Sequence, residues 1–452
     1  MAGVTRALAA FVADAPRGLA SPRATEVIKQ AVLDLVGVTV AGADEEAGRL
    51  ALAYARSQAA PGPAAVWGGQ GERLAPSLAA LVNGTAGHAL DYDDIGVGAG
   101  HVSVAIVPSV FAVAELVEAD GTAFVDALVL AYEVAHRLTS MYSDTRLGPY
   151  AAGYHKPAVY SVFGAAAGCA RLLGLDAGQT ACTLGMAASQ AGGLRANFGT
   201  MTKPLHAGIA NRTGVEVALL ASSGFTASDE ALEQRFGWHD VICRGEGDLD
   251  GILVGLGDTW AVEEGLTFKA YPCCGANHYA IDGVINLMRA EALTPADVAA
   301  IDVTIERRNL EDVLVYPWAR SPLEGKFSLA YNVAAAVTDG AVTVETFTDA
   351  AVARLAGERD RVRVHATDDL PQNGARVRIE TTDGRVLERE QLVLRGSVAD
   401  PMSWAELETK FRANVRACIG DAGADLVLDG VRSLEQQTTL TKLSEPLAGS
   451  PA

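Results

Sequence analysis

The chain has 452 residues, and its 36 Lys plus Arg against 55 Asp plus Glu give a formal net charge of −19. Because the overall field of so acidic a protein repels phosphate, these numbers argue against a general nucleic-acid binder and against a protein that binds anionic membranes. Hydrophobic residues make up 49% of the chain and charged residues 20%, which predicts an ordered protein with a large core.

Lysine is scarce among the cations, since seven of the 36 are lysine and the other 29 are arginine. Where arginine supplies nearly every surface cation, a retained lysine is a candidate for a place that needs a compact, tunable ammonium. The seven are Lys29, Lys156, Lys203, Lys269, Lys326, Lys410 and Lys442.

The six cysteines include no C-x-x-C pair, so they predict neither a disulfide framework nor a zinc site, and they favour a reducing cytoplasm. An uncharged run at residues 95–114 is long enough to span a bilayer, at about 20 residues. It contains three glycines and a proline, which is typical of a loop that leads into a buried helix. We therefore predict a cytoplasmic protein with no membrane segment.

In chain order, apolar residues first recur three and four positions apart, which predicts helices. This pattern covers residues 24–41, 76–91, 102–119, 123–140, 158–173, 177–192 and 208–223. None of these segments alternates like a strand. We expect the first 264 residues to form the main part of a large, all-helical domain.

The pattern changes near residue 265, because residues 300–306, 361–365 and 376–380 alternate between apolar and polar side chains. An Asp383-Gly384 turn follows the last of these and predicts a hairpin. We expect residues 265–399 to form a smaller α+β lid domain with an antiparallel sheet. Residues 403–418 are again helical in pattern, so residues 400–452 should pack back on the helical domain and make it discontinuous.

The first concentration of rare side chains lies at residues 83–101. His88 and Asp91 are three apart on the predicted helix, Asp93 and Asp94 follow, and a glycine-rich loop carries His101. An aspartate beside a histidine orients the ring and favours the imidazolium, as a general acid requires. Helix-end carboxylates beside a buried histidine are the plain alternative. A metal site stays open too, although the spacing matches no zinc or iron motif.

Two further stretches bring cations to the starts of predicted helices. His155 and Lys156 precede the helix at 158–173, where backbone amides favour an anion, although a solvated pair of cations is the plain reading. Residues 195–212 hold Lys203, His206 and Arg212 around a loop rich in Gly and Thr. These groups could cradle a carboxylate, and their spacing is not that of a phosphate-binding P-loop.

The last two stretches lie in the expected lid domain. Residues 267–278 contain Lys269, Cys274 and His278, and residues 326–331 contain Lys326 and Tyr331. A tyrosine hydroxyl here could donate to a substrate oxygen, although a packing tyrosine is commoner.

Taken together, the five stretches hold four of the seven lysines and five of the eight histidines. Such clustering favours one chemical site. A helical interaction protein with a degenerate site, the alternative that is not an enzyme, predicts scattered lysine and histidine instead.

The chain resembles the MmgE/PrpD family, which includes 2-methylcitrate dehydratases, cis-aconitate decarboxylases and an iminodisuccinate epimerase. The matching segments run from near residue 24 to about residue 411. They are DLVGVTVAG (34–42), HALDYDD (88–94), GYHKPAVYSVFGAAAGCARLLGLD (153–176), GTMTKPLHAGIANRTGVEVALLASSGFTA (199–227), FKAYPCCGANH (268–278), KFSLAY (326–331) and GSVADPMSWAELETKF (396–411). The resemblance implies a helical domain with an α+β lid, a homodimer, and an active site between the domains that uses no metal and no organic cofactor.

The resemblance also assigns roles to residues. Asp91 would orient and charge His101, which would move the proton at the reacting carbon, while lysines bind substrate carboxylates. The expected catalytic residues are Asp91, His101, His155, Lys203 and Tyr331. The expected substrate-binding residues are Lys269, Lys156, Arg212, Cys274 and His278.

Four positions depart from the pattern that the resemblance implies: Ile95 and Cys274 stand where the decarboxylases of the family carry a Thr and a His, and Val102 and Lys156 stand where a Pro is usual. These differences count against cis-aconitate decarboxylation, and the lysine beside His155 suggests an additional contact to a carboxylate.

We therefore expect a cofactor-independent lyase that acts on a small di- or tricarboxylic acid. Dehydration of a 2-methylcitrate-like substrate is the leading reaction, an epimerase of a dicarboxylate is the first alternative, and a decarboxylase is the second. The pocket should be locally positive within an acidic exterior. Lys29, Lys410 and Lys442 lie outside the five stretches and are expected to be ordinary surface residues.

Overall fold

The structure, a computed structural model, describes residues 3–69, 71–142, 147–370 and 374–449. Helices dominate this part of the chain, and its strands are few and short. The helices are α1 (Val4–Ala13), α2 (Pro22–Gly42), α3 (Glu46–Ser57), α4 (Pro76–Ala89), α5 (Val107–Leu116), α6 (Gly121–Ser140), α7 (Gly148–Ala151), α8 (Val162–Leu172), α9 (Ala177–Ala188), α10 (Thr202–Ser222), α11 (Trp238–Val241), α12 (Gly275–Ala290), α13 (Arg307–Asp312), α14 (Pro322–Gly325), α15 (Leu329–Asp339), α16 (Asp349–Leu355), α17 (Trp404–Arg432) and α18 (Thr441–Ala448). The strands are β1 (Pro61–Ala65), β2 (Arg73–Leu74), β3 (Ile95–Gly96), β4 (Leu266–Thr267), β5 (Val298–Glu306), β6 (Val362–Thr367), β7 (Ala375–Thr381) and β8 (Val386–Gln391).

All seven predicted helical segments of the first 260 residues are confirmed, and their ends differ by a few residues. Side-chain caps explain several starts: Ser21 accepts a hydrogen bond from Ala24 at the beginning of α2, and Asp176 forms a capping box with Gln179 at the beginning of α9. At the predicted helix 102–119 a short 3₁₀ turn precedes α5, and α10 begins at Thr202, before the predicted start at residue 208.

Glycines let α4 and α10 cross at very close range. A Cβ atom built on Gly208 would lie 2.5 Å from the backbone oxygen of Leu81, and one on Gly84 would lie 3.0 Å from the Cα atom of Gly208. Asn211 connects α10 to the turn before α5, because its amide donates to the carbonyl of Val104 at 2.7 Å. The close crossing of the two helices brings the beginning of α10 beside the end of α4, and both helix ends carry predicted site residues.

The α+β part contains a four-stranded sheet in the order β6-β5-β7-β8, which is covered by α12 and α15. The hairpin from β7 to β8 through Asp383 and Gly384 is confirmed. The predicted antiparallel sheet is a mixed one, however, because β5 and β6 run parallel. Alternating side chains do not reveal strand direction, and the helical segment between these two strands supplies the crossover that a parallel pair needs.

Helix α17 packs along α2, as expected for the C-terminal segment. Its start is a capping box in which Ser403 and Glu406 bond each other's backbone amides, and Phe411 sits against Gly37 of α2. The helix bends at Gly420, which has a positive φ of 64°. The proposed domain boundaries near residues 264 and 399 stay a prediction.

A short antiparallel pair joins the two parts of the molecule, since β3 follows α4 and β4 precedes the α+β part. Within the described ranges, every helix is too short or too polar to cross a bilayer.

We expect Gly208→Ala to lower the free energy of unfolding by about 1–3 kcal/mol, because the added methyl group would force α4 and α10 apart. Chemical denaturation measures this change. The matched control is Gly357→Ala, since a Cβ atom at that helical glycine meets no atom within 4 Å. Equal stability of the two variants would contradict the close crossing.

Candidate active site

A cavity of about 350 Å³ lies between the helical part and the α+β part. Six of the ten predicted site residues line it. They are Asp91, His101, His155, Lys156, Lys203 and Cys274. Aromatic rings of Tyr150, Phe198 and Phe327 form much of the remaining wall. The structure thus brings together most of a set that spans nearly 200 positions in the sequence.

Local chain geometry places the acidic end of this site. Helix α4 ends at Ala89, and Asp91 then takes a left-handed conformation with φ 52°. Such a conformation is uncommon for a residue other than glycine. The pairing of β3 with β4 follows directly, and Gly98 and Gly100, both with positive φ, turn the loop so that His101 returns to the cavity.

Asp91 is buried between two lysines. Its Oδ1 atom lies 2.6 Å from the Nζ atom of Lys269 and 3.0 Å from that of Lys203. Burial by itself would raise the pKa of Asp91, but the two ammonium groups outweigh burial and hold that pKa well below its usual range. Asp91 is therefore a fixed negative charge and not a proton carrier.

Asp93 is the carboxylate that orients the histidines. Its two oxygens accept hydrogen bonds from Nδ1 of His88 at 2.8 Å and from Nδ1 of His101 at 2.9 Å, whereas Asp91 is 3.6 Å from Nε2 of His101. The prediction that Asp91 orients His101 is therefore wrong. The helical spacing on which the His88–Asp91 pairing relied ends at Ala89, so Asp93 takes both partners.

His101 is neutral at physiological pH. Burial lowers the pKa of His101 to about 3, and the neighbouring Asp93 does not compensate for the lost hydration. The expected imidazolium is thus replaced by a neutral ring. Because Nδ1 donates its proton to Asp93, Nε2 carries the lone pair and can accept a proton as a general base.

His155 is buried and neutral as well. Burial, followed by the charge of Lys203, holds the pKa of His155 well below its usual range. Its Nδ1 atom lies 3.1 Å from Nδ1 of His206, so one of these two nitrogens donates and the other accepts. A neutral imidazole at the cavity wall can either give or receive a proton.

Lys156 and the start of α12 also line the cavity. The ammonium of Lys156 donates to the carbonyl of Gly98 at 3.1 Å and, among the described residues, has no carboxylate partner. Cys274 is the N-cap of α12, and burial raises the pKa of its thiol, so the sulfur is uncharged. The amides at a helix start attract a carboxylate.

Two predicted residues lie near the cavity without lining it. Lys269 is fully buried behind Asp91, so its role is to hold that carboxylate and not to touch substrate. His278 is also fully buried, where its Nε2 atom bonds the carbonyl of Cys273 and its ring packs against Tyr271. Position on α12 turns this histidine toward the core of the α+β part.

Two other predicted residues are far from the chemistry. The hydroxyl of Tyr331 donates to the carbonyl of Thr346 at 2.5 Å inside the α+β core, so this tyrosine is a packing residue. Arg212 lies nine residues after Lys203, about 13 Å along α10, and lines a separate cavity beside Glu216. Lys203 and Arg212 are close in sequence, but the rise of the helix between them places them at different cavities.

Sequence reasoning missed one tyrosine and misjudged two lysines. Tyr316 donates to the carbonyl of Phe198 at 3.1 Å and so connects the two parts of the molecule beside the cavity. Lys29 and Lys410 are buried and not ordinary surface residues, whereas Lys442 is exposed as expected. No motif marks Tyr316, but the scarcity of lysine was itself a signal for the buried pair.

A divalent metal ion fits this cluster poorly. His88, Asp91, Asp93 and His101 could each offer a ligand atom, and those atoms lie within 4.8 Å of one another. Two ammonium groups already contact Asp91, however, and Asp93 already accepts two imidazole protons. An added cation would meet strong repulsion from the lysines, so a metal-free site stays our prediction.

Comparison with known proteins agrees with the family resemblance seen in the sequence. The family model of the MmgE/PrpD N-terminal domain matches residues 6–248, and that of the MmgE/PrpD C-terminal domain matches residues 271–436. The cis-aconitate decarboxylase of Homo sapiens is 26% identical over 99% of this chain and 95% of its own length. The cis-aconitate decarboxylases of Mus musculus and Aspergillus terreus (strain NIH 2624 / FGSC A1156) are 27% and 28% identical, over 93% and 84% of this chain and 88% and 82% of their own lengths.

We expect the protein to lose stability as pH falls from 7 to 5. Burial lowers the pKa of both His101 and His278 to about 3, so the unfolded chain binds more protons than the folded one below about pH 6.5. Asp94 opposes this change, because burial raises its pKa to about 8, and burial also raises the pKa values of Asp34, Glu115 and Asp282, which act in the same direction. With His88 and His155 also lowered, the histidines prevail.

Urea unfolding at pH 7, 6 and 5 measures this effect, and the free energy of unfolding should fall by at least about 1 kcal/mol, since each histidine contributes up to about 1.4 kcal/mol per pH unit. A constant or rising stability toward pH 5 would contradict the neutral, buried histidines.

Proposed function

Because the chain belongs to the MmgE/PrpD family, we propose that it is a cofactor-independent lyase that acts on a small di- or tricarboxylate. Dehydration of a 2-methylcitrate-like hydroxy acid is the leading reaction. The proposal joins family membership with a cavity whose walls hold a neutral base, a lysine beside a fixed carboxylate, and a further cation.

The observation that carries the proposal is the hydrogen bond between Asp93 and Nδ1 of His101 at the cavity wall. Asp93 holds Nδ1 as the donor, burial keeps the ring neutral, and Nε2 is left as a base at the cavity wall. A dehydratase begins by removing a proton from the carbon next to a carboxylate. A pre-positioned neutral imidazole suits that step, because it can act without first losing a proton to solvent.

Lys203 supports the same step electrostatically. Removal of the α-proton places negative charge on the oxygens of the adjacent carboxylate, and an ammonium fixed beside them stabilises that charge. Asp91 anchors Lys203 at 3.0 Å, so the cation needs little reorganisation during the reaction. The side chain also lies over the ring of Phe327, 5.4 Å from its centroid, which keeps water away from it.

Departure of the hydroxyl needs a proton donor on the other side of the cleaved bond. We assign this role to His155, which lines the cavity and is linked to His206. His155 can deliver the proton on its Nε2 atom to the hydroxyl, which leaves as water, while its Nδ1 atom takes the proton that Nδ1 of His206 donates and His206 regains one from solvent. Lys156 and the first amides of α12 are left to bind the remaining carboxylates.

Decarboxylation is the second candidate, and the names of the curated relatives favour it. Loss of carbon dioxide does not require removal of a proton from carbon, so a decarboxylase would leave the base at Nε2 of His101 without a use in its first step. Ile95 and Cys274, which depart from the pattern expected of the decarboxylases, both line the cavity, so we expect the substrate contacts to differ as well. For these reasons we rank dehydration ahead of decarboxylation.

Epimerisation of a dicarboxylate would use the same proton abstraction and return the proton to the opposite face. We further propose that the enzyme works in the cytoplasm, in keeping with six cysteines that are all free, and that it forms a homodimer.

Incubation of the wild-type enzyme with a panel of di- and tricarboxylic acids in deuterated water should show α-proton exchange together with water loss from a hydroxy acid, and no loss of carbon dioxide. The result should be the same in the presence of a chelator. His101→Gln should lower kcat by about 100-fold or more, because a general base contributes about that much. Carbon dioxide release as the main reaction would instead support the decarboxylase, and exchange without net water loss would support the epimerase.

Lys156→Gln should raise KM for the true substrate at least about tenfold and change kcat by less than about threefold, because a charge-assisted contact to a carboxylate contributes roughly 1.5–3 kcal/mol to binding. Steady-state kinetics measure both constants. Lys442→Gln, which removes an exposed lysine, is the matched control and should change neither. An unchanged KM for Lys156→Gln would remove this residue from the binding site.

A further inference from the structure

Three consecutive backbone carbonyls at the end of α4 each accept a hydrogen bond from a different buried lysine. The pairs are Lys326 with Leu90 at 2.8 Å, Lys269 with Asp91 at 2.9 Å, and Lys410 with Tyr92 at 2.9 Å. The side chains of all three lysines are at least nine-tenths buried. We call this arrangement the lysine clasp.

The clasp acts on a stretch of backbone that has little other support. The last carbonyls of a helix have no partner within the helix, and Asp91 adds the strain of a left-handed residue that is not glycine. An ammonium offers three donors on a flexible stem and can meet a carbonyl at almost any angle. Arginine, with its planar fork, could not replace it there without a change in geometry.

The three lysines come from separate regions of the chain. Lys269 follows β4, Lys326 precedes α15, and Lys410 lies in α17. Lys410 is itself fixed, because its Nζ atom lies 2.7 Å from Asp34 of α2 and 3.8 Å from the centre of the Tyr92 ring. The turn at Asp91 therefore forms only where three distant segments meet.

The carbonyl of Tyr92 belongs to the peptide between the two functional carboxylates. Asp91 precedes it and contacts Lys203, and Asp93 follows it and holds His101. A rotation of this peptide would move both carboxylates at once. The bond from Lys410 prevents that rotation, although Lys410 does not line the cavity.

We propose that Lys410 and Lys326 are positioning residues for catalysis, which act through the backbone of residues 90–92 to fix Asp91 and Asp93. This inference rests on the proposed function for its kinetic consequence. Its structural content, that the clasp maintains the left-handed turn at Asp91, does not depend on which acid is the substrate.

The chain contains a matched control for Lys410. Lys29 is also buried, its Nζ atom donates to the carbonyl of Arg432 at 2.8 Å, and it pairs with Glu435 at 2.6 Å. Both lysines thus join α2 to α17 or to the residues just after it. Lys29 contacts nothing in the loop of Asp91, so it reports the cost of losing a buried lysine without any effect on the site.

The decisive variant is the double substitution Asp34→Asn with Lys410→Met. Lys410→Met alone would leave Asp34 as an unpaired buried charge, which can prevent folding, whereas the double variant removes both charges. We expect the double variant to fold, to lose kcat by about 100-fold, and to keep KM within about threefold, as for a small displacement of catalytic groups. Lys29→Met should keep kcat within about twofold of wild type.

Crystal structures of the wild type and the double variant supply a second readout that needs no substrate. We expect Asp91 to leave its positive φ in the variant and its carboxylate to separate from Lys203. An unchanged Asp91, or a kcat within threefold of wild type while His101→Gln loses activity, would overturn the inference and leave the proposed function intact. If the wild type turns over no acid in the panel, the proposed function fails and the structures alone decide the inference.

Discussion

The ion cluster at Asp91 is the interaction on which the rest of the site depends. An isolated carboxylate buried to this degree would cost several kcal/mol, and only close cations can offset that cost. Lys203 comes from the helical part and Lys269 from the junction with the α+β part, so the cluster can exist only where the two parts are joined. Assembly of the fold and assembly of the charge cluster are therefore the same event.

Burial, more than charge, sets the chemistry of the histidines. The sequence places aspartates beside His88 and His101, and pairing alone would favour the imidazolium. The cavity wall instead removes the rings from water, and the nearby ammonium groups of Lys203 and Lys269 add repulsion, so the neutral forms prevail. The result is a site whose fixed charges nearly cancel, and the expected excess of positive charge is confined to Lys156 and the start of α12.

Much of the fold could be predicted from the sequence because its signals are local. Hydrophobic periodicity located the helices, including the start of α17 near residue 403, and Asp383-Gly384 marked the hairpin. Strand direction could not be read, because alternation is the same in parallel and antiparallel pairs.

The sequence predicted which residues form the site better than it predicted how those residues contact one another. Six residues converge as expected, but the exchange of roles between Asp91 and Asp93 depends on where α4 ends and on a left-handed turn, neither of which has a sequence signature. Tyr331 and Arg212 shared a motif with true site residues, yet helix geometry turns each of them elsewhere. Proximity along the chain is a weak guide to a shared cavity.

The distribution of lysine also determines which amines of the protein can react with reagents in solution. Five of the seven amines are buried within the protein, one lies partly shielded at the cavity, and Lys442 on α18 is the one that solvent reaches freely. Acylating reagents and enzymes that modify lysine would therefore meet a surface that is cationic through arginine but almost free of nucleophilic amines. The five buried lysines, which stabilise the fold and the site, are shielded from such reagents by the fold itself.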